Sequence, residues 1–122
     1  ALENQITADN AEQVRAGAIL EIANGPVDAA GGRILERRDI PVLPDVMVNA
    51  GGGIVSHMEW IQNRTGDYWS ADTVNELLRE RLGRETRRCL DLAEAEGITL
   101  RSAAYLQGVR RVVGAIGQRG TE

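Results

Sequence analysis

The chain has 122 residues, 43% of them apolar, which suits one domain with a core of ordinary size and excludes general disorder. Its formal net charge is -4, and its 14 basic residues are all arginine interleaved with acids, so nothing points to nucleic acid and no lysine amine is on hand for catalysis. One cysteine excludes an internal disulfide, no Cys/His set has zinc-ligand spacing, and no apolar run approaches about twenty residues; no metal, no membrane and a reducing, cytoplasmic setting are expected.

Residues 1–7 read as a loop and residues 10–16 as a short helix that Thr7 or Asp9 can cap. Residues 18–23, short and mostly apolar, predict a strand that ends at the turn signal Asn24-Gly25-Pro26. Residues 28–37 suit a second short helix. Residues 40–48 predict the next strand, made irregular or terminal in its sheet by Pro41 and Pro44. Asn49-Ala50-Gly51-Gly52-Gly53 then reads as a turn from strand to helix. Its glycines would admit a flat, partly charged ligand to the backbone, and the helix start would offer free N–H groups to negative charge. A plain connecting turn is the alternative.

Two long helices complete the pattern. Ser70 can cap the first, with Val74, Leu77, Leu78, Leu82, Cys89 and Ala93 at helical spacing and Gly97 as its stop. Thr99 can cap the second, with Leu100, Ala103, Ala104, Val109, Val112, Val113 and Ile116 on its apolar side. Arginines and acids on the first are most simply a solvated face. Strands alternating with helices imply parallel pairing, so the sequence holds about half of an α/β domain followed by a helical tail. The Gly-x-Gly-x-x-Gly fingerprint of a doubly wound dinucleotide-binding domain does not occur, and Gly51-Gly52-Gly53 has the wrong spacing to replace it.

Several residues admit both a chemical and a structural role. Asn24 suits a ribose hydroxyl or a carboxamide but also a turn before glycine. Asn49 offers the same chemistry or a helix cap. Ser56 can donate to a carboxylate or bond the backbone of its own helix. His57, the lone histidine, reads as a helix-packing or surface residue rather than a general base. Asp45 reads as a strand-end carboxylate that bonds nearby backbone N–H groups, Cys89 as a buried small hydrophobe, and Trp60, Tyr68 and Trp69 as packing residues under the helical tail.

Ala1-Leu2-Glu3-Asn4-Gln5-Ile6-Thr7, Ala23-Asn24-Gly25-Pro26, Val42-Leu43-Pro44-Asp45, Asn49-Ala50-Gly51-Gly52 with Ser56, Glu59-Trp60 and Gln62-Asn63, then Arg101-Ser102-Ala103-Ala104-Tyr105 resemble, in order, the carboxy-terminal part of glutamate dehydrogenases. The resemblance covers nearly the whole chain. It implies the distal half of a Rossmann-like doubly wound parallel sheet followed by a helical carboxy-terminal tail. Residues 1–66 would be the second half of a dinucleotide-binding domain, and residues 67–122 helices packing on it.

The family deaminates L-glutamate oxidatively to 2-oxoglutarate and ammonia with NAD or NADP. By resemblance, Asn24 meets the nicotinamide ribose, Asn49 lies beside the nicotinamide and the substrate amino group, and Ala1 lies in the loop passing the adenosine ribose. Ser56 matches a serine that binds the substrate's side-chain carboxylate. Gly53 stands where the family usually has a branched apolar residue bordering the substrate, which loosens that wall. Related leucine, valine and phenylalanine dehydrogenases generally lack a serine equivalent to Ser56, so Ser56 favours a dicarboxylate.

The family's catalytic lysine and aspartate and its dinucleotide fingerprint belong to sequence before Ala1, so no catalytic residue is assigned in this chain. With no initiator methionine it reads as part of a longer parent. It is expected to be inactive alone, to bind NAD weakly or not at all, to meet the remainder of the parent chain, and to self-associate, as the family forms hexamers. The alternatives are a non-catalytic interaction or assembly module, and a fragment of a related branched-chain or aromatic amino-acid dehydrogenase.

Overall fold

In the computed structural model, which describes residues 2–119, two short strands, β1 (Ile19–Leu20) and β2 (Val42–Leu43), pair in parallel, with Ile19 opposite Val42 and Leu20 opposite Leu43. Helix α1 (Ala29–Arg37) connects them. A single parallel bridge from Ile6 to Val27 adds one further rung, where Ile6 N–H donates to Pro26 O and Asp28 N–H to Ile6 O, both at 2.9 Å. The expected α/β class holds in this coarse form, within a chain that is mostly helical.

Asp28, expected inside the helix, instead caps α1 by accepting from Gly31 N–H at 2.6 Å. Gly31 is needed for proximity: a Cβ there would lie 2.8 Å from the Ile6 carbonyl oxygen, so only glycine lets α1 press this closely on the bridge. Ala11, Val27 and Leu35 are the buried centre, with Ile6, Val14, Ile19, Ile34, Ile40 and Val42 packed around them. The helix predicted for residues 10–16 shrinks to a 3-10 turn, Ala11–Gln13. Asn10, not Thr7 or Asp9, stands at its cap position, and its side chain accepts from Thr7 N–H instead of capping. Arg38 Nη1 and Nη2 pin this turn to the end of α1 by donating to Ala11 O and Val14 O.

Both strands are shorter than predicted. The strand expected over residues 18–23 keeps only Ile19–Leu20, although Glu21 N–H still donates to Leu43 O at 3.1 Å before the chain bends away at residues 23–25. The strand expected over residues 40–48 stops at Leu43, because Pro44 has no N–H to carry the ladder on. Pro44 instead precedes α2 (Asp45–Val48), and its carbonyl accepts from Met47 N–H and Val48 N–H at 2.9 and 3.0 Å.

The glycine turn is also corrected: Gly51, Gly52 and Gly53 lie inside α3 (Ala50–Thr65). Helical conformation has begun at Asp45, and only Asn49 (φ -90°, ψ 0°) separates α2 from α3. Glycine in a helix costs about 0.5–1 kcal/mol relative to alanine, so packing has to hold this segment helical. At Gly51 it does: a Cβ would sit 3.8 Å from Leu78 Cδ1 and 3.9 Å from Leu82 Cδ2, in ordinary contact with the next helix.

That helix is α4 (Ala71–Glu96), capped by Ser70, which accepts from Thr73 N–H at 3.2 Å, and stopped by Gly97 at φ +61°. It leads into α5 (Leu100–Arg119), where Thr99 Oγ1 accepts from Ser102 N–H at 3.2 Å. Ser70, Gly97 and Thr99 thus act as the sequence predicts. Between α4 and α5, Glu85 accepts from Arg111 Nη2 at 2.6 Å and Gln107 Nε2 at 2.9 Å, and Cys89 is buried with its Sγ 3.5 Å from Gln107 Oε1.

The packing expected of two other groups fails. Trp60 and Tyr68 are exposed: Trp60 stacks on His57 at 5.8 Å between ring centroids and lies under the Arg64 guanidinium. Val109, Val112, Val113 and Ile116 on α5 also face outward.

Candidate functional site

Parallel α/β sheets bind ligands at the carboxyl ends of their strands. Here β1 runs out into Glu21 and the bend around Asn24, while β2 runs out through Pro44 into Asp45, α2 and Asn49. Both asparagines singled out in the sequence therefore leave the same edge of the same parallel pair. Both are exposed, and Asn49 makes no side-chain cap to α3, which leaves that structural role unfilled.

Along α3 the site continues as a stripe. Gly52 and Gly53 follow Asn49 by three and four residues and Ser56 follows them by four and three, so the four share one helix face. Asn49 and Ser56 stand two turns apart, about 10 Å along the axis. A Cβ at Gly52 or Gly53 would meet nothing within 4 Å, and all four residues are exposed. The glycines act as a bare, open helix wall between two polar side chains. Gly51 faces the opposite way, onto α4. His57 is turned to Trp60 and stands outside the stripe. Ala1 lies outside the described residues.

At the start of α2, ahead of the helix start that the sequence predicts, the first N–H groups are already taken. Asp45 N–H donates to Glu21 Oε2 at 2.9 Å, and Val46 N–H donates to Asp45 Oδ1 at 2.8 Å. The negative charge favoured at this helix start is supplied by the protein's own carboxylates.

These carboxylates belong to a network whose extent the sequence did not reveal. Glu21 is 1% exposed, and Arg101 Nη2 of α5 donates to its Oε1 and Oε2 at 2.5 and 2.6 Å. Arg101 Nη1 donates to Asp45 Oδ1 at 3.2 Å, and Gly25 N–H donates to Asp45 Oδ2 at 2.8 Å. The Gly25 N–H bond chiefly holds the Asp45 carboxyl below its usual range. Burial opposes this, while Val46 N–H and Arg101 add to it. The reading of Asp45 as a carboxylate on backbone N–H groups is borne out. Glu21 was missed, although a glutamate inside the apolar run Ala18-Ile19-Leu20-Glu21-Ile22-Ala23 is a signal in itself, since a buried charge demands a partner.

Gly25 lies at φ +55° and is followed by Pro26, so the bend after Asn24 is stiff on one side and tied to Asp45 on the other. The site presents amide groups and one hydroxyl on ordered backbone beside an open wall. It can orient and hydrogen-bond a planar polar ligand. Among the described residues no group of three or more His, Cys, Asp or Glu is placed to hold a metal, and no helix is long and apolar enough to cross a membrane.

Parallel strands whose carboxyl ends lead to two exposed asparagines beside a glycine-walled helix define part of an α/β domain. Residues 1–120 match the Glutamate/Leucine/Phenylalanine/Valine dehydrogenase family, and the chain belongs to it. It is 47% identical over 121 residues to the NADP-specific glutamate dehydrogenase of Synechocystis, covering 99% of this chain and 28% of that protein. It is 44% identical over 120 residues to the NAD-specific glutamate dehydrogenase of Staphylococcus aureus, covering 98% and 29%. The chain thus spans less than a third of the length of these curated relatives.

Among solved structures, it superposes on the glutamate dehydrogenase of Peptoniphilus asaccharolyticus with a TM-score of 0.92 at 34% identity, covering 100% of this chain and 31% of that one. It also superposes on the Leu-bound, hetero-hexameric glutamate dehydrogenase of Thermus thermophilus with a TM-score of 0.90 at 30% identity, covering 96% and 28%.

Proposed function

We propose that this chain is part of an oxidoreductase that oxidatively deaminates L-glutamate to 2-oxoglutarate and ammonia with NAD or NADP. Residues 1–66 are the distal half of its doubly wound dinucleotide-binding domain, and residues 67–122 the helices packed on it. The observation that carries the reading is the α3 stripe, which sets Asn49 and Ser56 at the two ends of a wall without side chains, at the strand edge where Asn24 also emerges. The close relatives named as glutamate dehydrogenases support the same reading.

The residues fit a dinucleotide's nicotinamide end, because the glycine wall leaves space for a flat ring that a Cβ would intrude upon. Accepting hydride is the chemistry that the dinucleotide supplies when bound. Asn24 would hold the nicotinamide ribose, Asn49 would orient the nicotinamide and the substrate's amino group, and Ala1 would run past the adenosine ribose. Ser56 would donate its hydroxyl to the side-chain carboxylate, and Gly53 would border the substrate's side chain. The chain has no lysine, so any catalytic amine comes from another part of the parent. Alone, the chain is inactive and binds NAD or NADP weakly. A cytoplasmic setting and homo-oligomeric assembly with the rest of the parent complete the proposal.

Ser56→Ala in the parent enzyme tests it. The expected outcome is a much larger loss of kcat/KM for glutamate than for an apolar amino acid, since only the dicarboxylate uses the hydroxyl; an equal loss for both sinks the assignment. Titration of the 122-residue chain with NAD, followed through Trp60 and Trp69 fluorescence, is expected to show little binding below about millimolar, because the helix N-terminus that receives the pyrophosphate in such domains is not among its motifs.

A further inference from the structure

Asp45 holds both asparagine segments at once. Its carboxylate accepts from Gly25 N–H at 2.8 Å, next to Asn24, and its carbonyl accepts from Asn49 N–H at 2.8 Å. The separation of the two asparagines therefore depends on where Asp45 sits. That is set in turn by Glu21, which accepts from Asp45 N–H, and by Arg101, which bridges the two carboxylates from α5. We propose that Arg101 is a positioning residue for the nicotinamide end of the cofactor, setting the spacing of Asn24 and Asn49 through Asp45 and Glu21; this rests on the glutamate-dehydrogenase reading above.

Two physical points separate this role from that of a fold staple. A buried ion pair gains little net stability over a well-packed apolar set, so a cluster in which one guanidinium serves two carboxylates is poorly explained as a source of stability. It does fix geometry: a planar guanidinium with two arms set at a constant angle holds two carboxylates at a defined separation, which a lysine ammonium cannot do. Among the described residues Arg101 bonds Glu21 and Asp45 and neither asparagine, so its effect passes through the backbone N–H groups of Gly25 and Asn49. It also ties the site to α5, whose first turn Thr99 caps. The tail helix thereby acts on the cofactor-facing edge 56 residues earlier in the chain.

The test uses the full-length enzyme carrying this segment. Arg101→Met and Asp45→Asn are compared with wild type in kcat/KM for NAD(P), in the fluorescence enhancement of bound NAD(P)H, and in affinity for ADP, which has neither the nicotinamide nor its ribose. For Arg101→Met, kcat/KM for NAD(P) is expected to fall on the order of a hundredfold, as for an approximately 1 Å misplacement. The fluorescence enhancement is lost, while ADP affinity stays within about twofold. Asp45→Asn, which keeps the shape of the side chain, gives the same split more weakly, and Arg101→Lys recovers only part of the loss. An equal fall for ADP, or a lowered Tm with unchanged cofactor kinetics, shows a purely structural role and overturns the proposal. Should Arg101→Met fail to fold, the split in Asp45→Asn decides. A wild-type enzyme without glutamate-dependent NAD(P) reduction refutes the functional reading itself, and the positioning role falls with it.

Discussion

At the carboxyl ends of β1 and β2, carboxylates, a guanidinium and backbone N–H groups satisfy one another around a glutamate that is 1% exposed. Among the described residues no buried side-chain nitrogen or oxygen lacks a hydrogen-bond partner. The second half of α5 is the opposite case: Val109, Val112, Val113 and Ile116 recur at helical spacing, yet Ile116 is 64% exposed. The first region carries its complement within these residues, whereas the second has an apolar side without one. Whatever is fixed internally should respond to mutation within this chain, and whatever is left open should respond only when another surface is present.

The largest effect should come from breaking the closed region. Glu21→Ala leaves Arg101 and Asp45 N–H without their buried acceptor and is expected to cost about 3–5 kcal/mol in denaturant unfolding of the chain. A loss below about 1 kcal/mol would show the cluster to be solvated, against the burial of Glu21. Next comes Gly31→Ala, where the new Cβ would stand 2.8 Å from backbone that is itself bridged to Val27. Overpacking of this kind costs about 1–3 kcal/mol. The same substitution at Gly52, on the open wall, meets nothing and is expected to be neutral or stabilising in the isolated chain.

A smaller contrast lies in acid. Asp45 ionises more easily in the folded chain than its usual value of 3.8, chiefly through Gly25 N–H. Its contribution is fully present above that value and is lost as pH falls through the lowered native one, because the unfolded chain takes up the proton first. Glu85 behaves alike from its usual 4.5: burial pushes it up, but Arg111, Arg88 and Arg84 outweigh this and bring it down. Unfolding midpoints measured between about pH 5 and pH 2 should therefore decline in wild type and decline less in Asp45→Asn, with the Glu85 share remaining. Equal slopes would remove the Gly25 bond as the cause.

What could be read from the sequence follows from how local each cause is. Ser70, Thr99 and Gly97 act on backbone within a few residues of themselves, and each performs its predicted cap or stop. The glycine run was misread as a turn because its helical state depends on events outside it: Pro44 ends the strand, Asp45 starts the helix, and Leu78 and Leu82 receive Gly51. Asn49 and Ser56 were legible as candidate groups, but their shared face follows only once Asn49 to Ser56 is known to be helical. Arg101 was visible only as a member of a motif, since its partners lie 80 and 56 residues away. Trp60 and Tyr68 were placed under the tail on size alone, whereas Trp60 finds its neighbours on its own helix.

The smallest expected effect on stability belongs to the open region. Val112→Asp places a charge on a side chain already 60% exposed, so unfolding of the monomeric chain should change by no more than about 0.5 kcal/mol. Association should change much more. If the α5 stripe draws the isolated chain into self-association, light scattering at high concentration will give a mass above 13.2 kDa for wild type and close to it for Val112→Asp. In the parent enzyme the same substitution should weaken assembly or folding only where the stripe is covered. A variant destabilised by several kcal/mol as an isolated monomer would mean that the stripe is already packed, and the contrast between the two regions would fail.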